Sequence, residues 1–224
     1  MPEFKSEKAL VLSSRRLGEN AWIISLFSRE NGRTLGVFKK KKAPDIGTFV
    51  TARWRARLSE QMGTFYLEET DPFSIQYLDD PNRLNCISSL CALLDDTLPE
   101  RQAFDTLYQK TVSFLASLDE PDFLKNYALF EKDLLSEIGF GLDTSCCAGG
   151  GNADDLAYIS PKTGRAVSRE KGKPYHDKLL PLPRFLWQPV AASHQDIRQS
   201  LNLTGYFLIR HTPRHRLPKV REQL

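Results

Sequence analysis

The sequence predicts an α+β chain: a small antiparallel barrel or sandwich of short strands, then an all-helical domain carrying a small inserted hairpin. Three observations carry this expectation. Residues 5–78 mix β-branched and aromatic residues with turn signals and contain no convincing helix. From residue 79 onward, apolar side chains recur at helical spacing. Between residues 142 and 175 that spacing lapses, and the runs LAYIS and RAVS flank Pro161-Lys162-Thr163-Gly164, the pattern of a small hairpin. A chain of 224 residues is long enough for one large or two small domains with real cores.

The strand region opens with KALVLSSRRL and AWIISLFSRE, which Gly18 and Asn20 separate as a turn. Glu30-Asn31-Gly32-Arg33 is the strongest hairpin signal, because Asn-Gly readily takes the positive φ of a tight turn. TLGVFKK follows, then the break KKAPDIG, the long strand TFVTARWRARL, a turn from Ser59 to Gly63, and TFYLEETDPFSIQYL. Closing such strands into a barrel removes exposed edges.

The first helix is expected through Leu84, Ile87, Leu90, Cys91 and Leu94, with Asp79-Asp80-Pro81 as N-cap and first turn. A second runs through Phe104, Leu107, Tyr108, Val112 and Leu115. A third runs through Phe123, Tyr127, Phe130, Leu134 and Ile138, ending at Gly139 and Gly141 where a left-handed cap is easiest. The change of pattern near Tyr77 to Pro81 divides the chain into domains 1–78 and 79–224. After the hairpin come a Pro-broken segment, one further helix in HQDIRQSLNLTGYFLIRHT, and the basic tail PRHRLPKVREQL.

A hydrophobic fraction of 41% with 26% charged residues is that of a globular protein and excludes a disordered one. No apolar run is long enough to span a bilayer, and the N-terminus lacks the apolar core of a signal peptide, so no membrane partner and a cytoplasmic, nucleoid-associated location are expected. Cys86, Cys91, Cys146 and Cys147 are expected as thiols, since no Cys-x-x-Cys pair occurs. The net charge of +3 hides a segregation. Residues 1–57 hold 13 Lys/Arg against 5 Asp/Glu, residues 58–155 hold 5 against 19, and residues 156–224 hold 13 against 4. Two basic segments flanking an acidic one point to a polyanionic partner met by both ends of the chain.

The most informative stretch is Thr34 to Leu58. In an extended strand Arg53, Arg55 and Arg57 share one face, while Ala52, Trp54, Ala56 and Leu58 share the other. Together with Lys39, Lys40, Lys41 and Lys42, this arginine ladder is a candidate track for a phosphate backbone. Arg15, Arg16 and Arg33 join the candidate set, interleaved with Trp22, Phe27, Phe38, Phe49 and Trp54, a combination that single-strand binders use. Alternation puts Trp54 in the core rather than on the track. Arg210, Arg214, Arg216, Lys219 and Arg221 form a second basic cluster.

Other chemistries lack support. Gly149-Gly150-Gly151 has no preceding strand and no following Gly-Lys-Ser/Thr, so it is no phosphate loop. His176, His194, His211 and His215 show no metal spacing, and Pro213 breaks the His211/His215 pair. Asp95-Asp96 and Asp154-Asp155 read as capping or solvated carboxylates. No catalytic residue is expected.

At FEKDLLSEIGFGLDTSCCAGGGNADDLAYISPKTGRAVS the sequence resembles the RecO family of bacterial recombination mediators, through Phe130, Glu131, Leu134, Leu135, Gly139, Asp155, Leu156, Tyr158, Ser160, Pro161 and Gly164. LVLSSRRLGENAWIISLFSRENGRTLGVFKK also looks like the family's opening strands, and with GYFLIRH and the basic end the resemblance covers essentially the whole chain. It implies an N-terminal OB-fold, a helical domain, binding of single- and double-stranded DNA, annealing of complementary strands, and loading of recombinase onto DNA coated with single-strand-binding protein together with RecR. An adaptor that takes the acidic tail of single-strand-binding protein, with DNA contact secondary, fits the same resemblance. Many members carry a four-cysteine zinc module at this loop. Here Cys146-Cys147-Ala148-Gly149-Gly150 and Ser168 to Tyr175 lack the second and later ligands, so the expectation is no zinc and a hairpin held by packing.

Overall fold

The computed structural model describes residues 3–58, 62–71, 73–213 and 215–224. Five strands, β1 (Glu3–Arg16), β2 (Trp22–Ser28), β3 (Gly32–Phe38), β4 (Phe49–Arg55) and β5 (Gly63–Asp71), close into a barrel in the order β1-β2-β3-β5-β4. Of barrel and sandwich, the chain forms the barrel, with the closure of an OB-fold. The length of β1 makes closure possible. Its first part pairs with β4, from Glu3 opposite Arg55 to Leu10 opposite Phe49, and its later part pairs with β2, from Ala9 opposite Ser28 to Arg16 opposite Trp22. A short parallel contact between β3 and β5, Gly36 with Gly63 and Val37 with Thr64, completes the ring. Most of the turn expected at Ser59 to Gly63 lies outside the described residues. Phe73–Tyr77, expected as the end of a strand, is instead one 3-10 turn. The proline at position 72 has no N–H with which to continue a ladder.

Strand alternation fills the barrel with Val11, Ile24, Leu26, Val50, Trp54 and Phe65, among others. Trp54 is 5% exposed, and its indole N–H donates to the Leu35 carbonyl at 3.2 Å, so its polar atom is satisfied inside. Leu10 and Leu12 lie outside this core yet are fully buried, because α1 (Pro81–Thr97) packs on β1. The Asp80 side chain accepts from the Arg83 N–H at 3.1 Å and Pro81 opens the helix, so the expected cap forms. At the start of α2 (Asp105–Ala116), Tyr108 meets the Phe27 ring edge-on at 5.5 Å and donates its hydroxyl to the Lys8 carbonyl.

The chain forms two compact units, residues 1–109 with 218–224, and residues 110–217. The change from strand to helix falls near residue 78, but α1 stays with the barrel that it covers. In the first unit Lys219–Gln223 form a 3-10 turn on α1, with Arg221 buried.

In the second unit α3 (Phe123–Glu137) packs against a long helix near the end of the unit, α5 (His194–His211). Between them lie β6 (Leu156–Ile159), β7 (Ala166–Ser168), the single turn α4 (Arg169–Gly172) and β8 (Leu180–Pro181). The hairpin β6–β7 is the one expected, and β8 adds a third strand on β6 that the Pro-broken sequence does not announce. Phe114, Tyr127 and Phe130 cluster with ring centroids 5.6 to 6.4 Å apart. The buried Glu131 carboxylate accepts from the Thr204 hydroxyl at 2.5 Å, tying α3 to α5. The left-handed Gly139, at φ +87°, stops α3. Among the described residues, no helix is long and apolar enough to cross a membrane.

Candidate nucleic-acid interface

The barrel register brings together cations that are far apart in sequence. Arg15 lies opposite Ile23, Ile23 opposite Val37, Val37 opposite Thr64, and Thr64 opposite Arg55. Their strand neighbours Ile24, Phe38, Phe65 and Trp54 point inward, so this lateral row faces out. It spans four strand spacings, roughly 20 Å of arc. In the next row Arg16 lies opposite Trp22, and Trp22 opposite Phe38, where β3 ends and Lys39 to Lys42 begin. Arg15, Arg16 and the four lysines therefore lie together where β1 ends, β2 begins and β3 ends, the outward row joins them to Arg55 across β5, and Arg57 follows two residues beyond Arg55. All of these side chains are exposed.

Local contacts hold this end in shape. The Arg16 guanidinium lies 5.8 Å from the Trp22 ring and donates to the carbonyls of Gly18 and Glu19. Trp22, half-buried against the core, donates its indole N–H to the Lys41 carbonyl at 3.4 Å and so pins the lysine loop. Lys40 sits 5.6 Å from the Phe38 ring, and Lys42 pairs with Asp45 at 3.7 Å. Arg53 lies on the same outer face as Arg55, directly opposite the exposed Tyr66 of β5.

Arg33 requires a correction. Its Nε donates to the Leu98 carbonyl at 2.7 Å, and Nη1 lies 3.4 Å from Asp95, with side chains only 17% and 18% exposed. Asp95 also accepts from Ser13 at 2.9 Å. Arg33 therefore ties β3 to the end of α1 and is not offered to a phosphate. The expected C-terminal cluster also divides. Exposed Arg210 and Arg216 belong to the second unit, whereas exposed Lys219 and buried Arg221 belong to the first. Arg210 donates to the Pro161 carbonyl at 3.0 Å, and Arg214 lies outside the described residues.

Two side chains of the barrel surface escape a reading of the sequence. Arg101, from the acidic segment, lies 4.7 Å from the Trp54 ring, and its N–H donates to the Arg33 carbonyl at 2.7 Å. Tyr66 stands beside Phe65 in the sequence, and only strand alternation separates the outward ring from the inward one.

Comparison with known proteins is decisive about kinship. Residues 1–72 match the family model "Recombination protein O N terminal", and residues 78–221 match "Recombination protein O C terminal". The chain belongs to the RecO family. The DNA repair protein RecO of Rhodospirillum centenum is 42% identical over 214 residues, covering 92% of this chain and 86% of that protein. Its namesake in Cereibacter sphaeroides is 42% identical, covering 93% and 89%, and that of Bartonella tribocorum is 41% identical, covering 97% and 92%. RecO membership places the chain in recombinational DNA repair.

The two cysteines of the loop after α3 face different surroundings. Cys146 is exposed, and its sulfur takes an Arg165 N–H at 3.7 Å. Cys147 turns inward, where its sulfur accepts the Ser168 N–H at 3.1 Å and its thiol donates to the Ser168 hydroxyl oxygen at 3.4 Å. Among the described residues no group of three or more His, Cys, Asp or Glu could hold a metal ion. Hydrogen bonds at the Cys147 sulfur join this loop to β7. Burial pushes the Cys147 thiol up, but the Ser168 hydroxyl and the N–H groups of Ser168, Gly151 and Gly149 outweigh burial and bring it from 9.0 to about 7. An acid whose folded value is depressed stabilises the fold fully above its unfolded value, and that contribution is lost as pH falls through the folded value. Stability is therefore expected to rise between pH 7 and 9. Thermal unfolding should show the rise in the native chain and a flatter profile in Cys147→Ser.

Proposed function

We propose that this chain is a non-enzymatic DNA-binding recombination mediator whose barrel holds the backbones of single- and double-stranded DNA. The observation that supports it is the grouping of Arg15, Arg16 and Lys39 to Lys42 at one barrel end and the outward row that joins them to Arg55, with Arg53 on β4 and Arg57 just beyond it extending the surface. Phosphate contacts of this kind carry affinity without reading sequence. Annealing needs only that two strands be neutralised and brought together, so the reading requires no catalytic residue. Loading a recombinase onto DNA coated with single-strand-binding protein also requires protein contacts, with RecR and with the acidic tail of that protein. On α5, Tyr206 and Ile209 are exposed beside Arg210, an apolar and basic surface of the kind an acidic peptide takes. Mobility shifts of the whole chain on single strands and duplexes of several sequences, across a salt series, test the reading. The expected result is binding to both forms, little dependence on sequence, and a linear fall of log affinity with log salt. Failure to bind either form at low salt would refute it.

A further inference from the structure

The outer face of β5 carries Thr64, Tyr66 and Glu68, while Phe65 and Leu67 point into the barrel. Tyr66 is 58% exposed, a large aromatic surface left in water on an otherwise polar wall. It lies directly opposite Arg53, and Arg55 lies two pairs further along on the same face, opposite Thr64. Side chains directly opposed across strands are about 5 Å apart at Cβ, and diagonal ones about 7 to 8 Å, so the ring and both guanidinium groups share one patch. Glu68, opposite Thr51, follows Tyr66 on the same face and sets a negative limit to the patch on that side. The cationic surface therefore runs from Tyr66 toward Arg55 and the lysine end of the barrel.

We infer that Tyr66 is a base-stacking residue that makes this face discriminate single-stranded from duplex DNA. The inference rests on the reading that the β4 arginines hold a DNA backbone. A backbone anchored by Arg53 and Arg55 passes within reach of the Tyr66 ring. In a single strand the bases are unpaired, and one can turn onto the ring and stack. In a duplex the bases are paired inside and the phosphates are outermost, so the ring finds no partner. The arginines serve both forms alike, and Tyr66 supplies the difference. Stacking uses the face of the ring and not its hydroxyl.

The test is fluorescence anisotropy of the full chain with labelled oligo-dT and with a mixed-sequence duplex of equal length. The variants are Tyr66→Ala, Tyr66→Phe and the double variant Arg53→Ala/Arg55→Ala. Tyr66→Ala is expected to weaken single-strand binding about tenfold or more while changing duplex binding less than about twofold, and Tyr66→Phe to bind both as the native chain does. The double variant should lose affinity for both forms. Equal weakening of both forms by Tyr66→Ala, or no change in either, overturns the stacking role. If the double variant keeps its affinity for both, the underlying reading of the face fails instead. Photocrosslinking of the native chain to bromouracil-substituted single strands gives a readout independent of any variant's folding. Adduct at Tyr66 supports the inference, and adduct confined to other residues overturns it.

Discussion

Replacing Arg53, Arg55 and Arg57 together with alanine is expected to weaken binding to single strands and duplexes of every sequence. Each exposed charge pair contributes about 1 kcal/mol, so three lost contacts amount to roughly a hundredfold at low salt. The slope of log affinity against log salt should become shallower by about 0.7 per lost contact on single strands and about 0.9 on duplex. All three side chains are exposed. Arg33→Ala is the matching control, with the opposite pattern. It removes the donor to the Leu98 carbonyl and leaves the half-buried Asp95 without its cation. It should therefore lower the unfolding midpoint while leaving the salt slope in place. Salt-dependent titration of a folded triple variant decides the matter. Unchanged affinity would remove the β4 ladder from the DNA path.

Gly32→Ala should be among the most damaging small substitutions in the barrel. Gly32 closes the β2–β3 turn at φ +62°, a conformation that costs an L-residue about 1 to 2 kcal/mol. A Cβ there would also lie 1.7 Å from the Gln102 carbonyl oxygen, which is backbone and cannot swing aside. The segment around Glu100 would have to retreat, losing its bridge to Arg33 and the bond from the Arg101 N–H. The sum is about 3 kcal/mol or more. Gly139→Ala separates the two causes, since φ is +87° but nothing lies within 4 Å of the added atom. Urea unfolding of both variants should show a cost of about 1 kcal/mol at Gly139 and well above that at Gly32.

What was legible in the sequence follows from which interactions are local. Strand alternation placed Trp54 inside and its arginine neighbours outside, because that rule needs only one strand. The Asp80-Pro81 helix start and the Asn31-Gly32 turn are legible for the same reason. Arg33 was read like Arg53, since both are arginines on strands; the difference is Asp95, 62 residues away and brought close only by α1 packing. The outward row that joins Arg15 to Arg55 likewise depends on the β3–β5 contact, which no local pattern specifies. Tyr66 was hidden because it follows Phe65, and two aromatics in succession blur the alternation that separates them. At the loop after α3 the adjacent cysteines are plain in the sequence, but the donation of the Ser168 N–H to the Cys147 sulfur is not, because the two residues are 21 apart in the chain. One signal was there to be read: Ala9-Leu10-Val11-Leu12 is apolar on both faces, which a strand facing solvent on one side would not be. It announces that something beyond the barrel core must cover β1.

The first compact unit is discontinuous, and this bears on the order of events during synthesis. A chain made from its N-terminus exposes the five barrel strands and α1 first, then the whole of residues 110–217, and only afterwards the 218–224 segment that packs on α1. The unit that begins to fold earliest is therefore the last to be finished. Until those seven residues emerge, the surface of α1 that they cover is open, so cleavage or fusion behind residue 217 acts on the barrel unit rather than on the helical unit that precedes it in the chain.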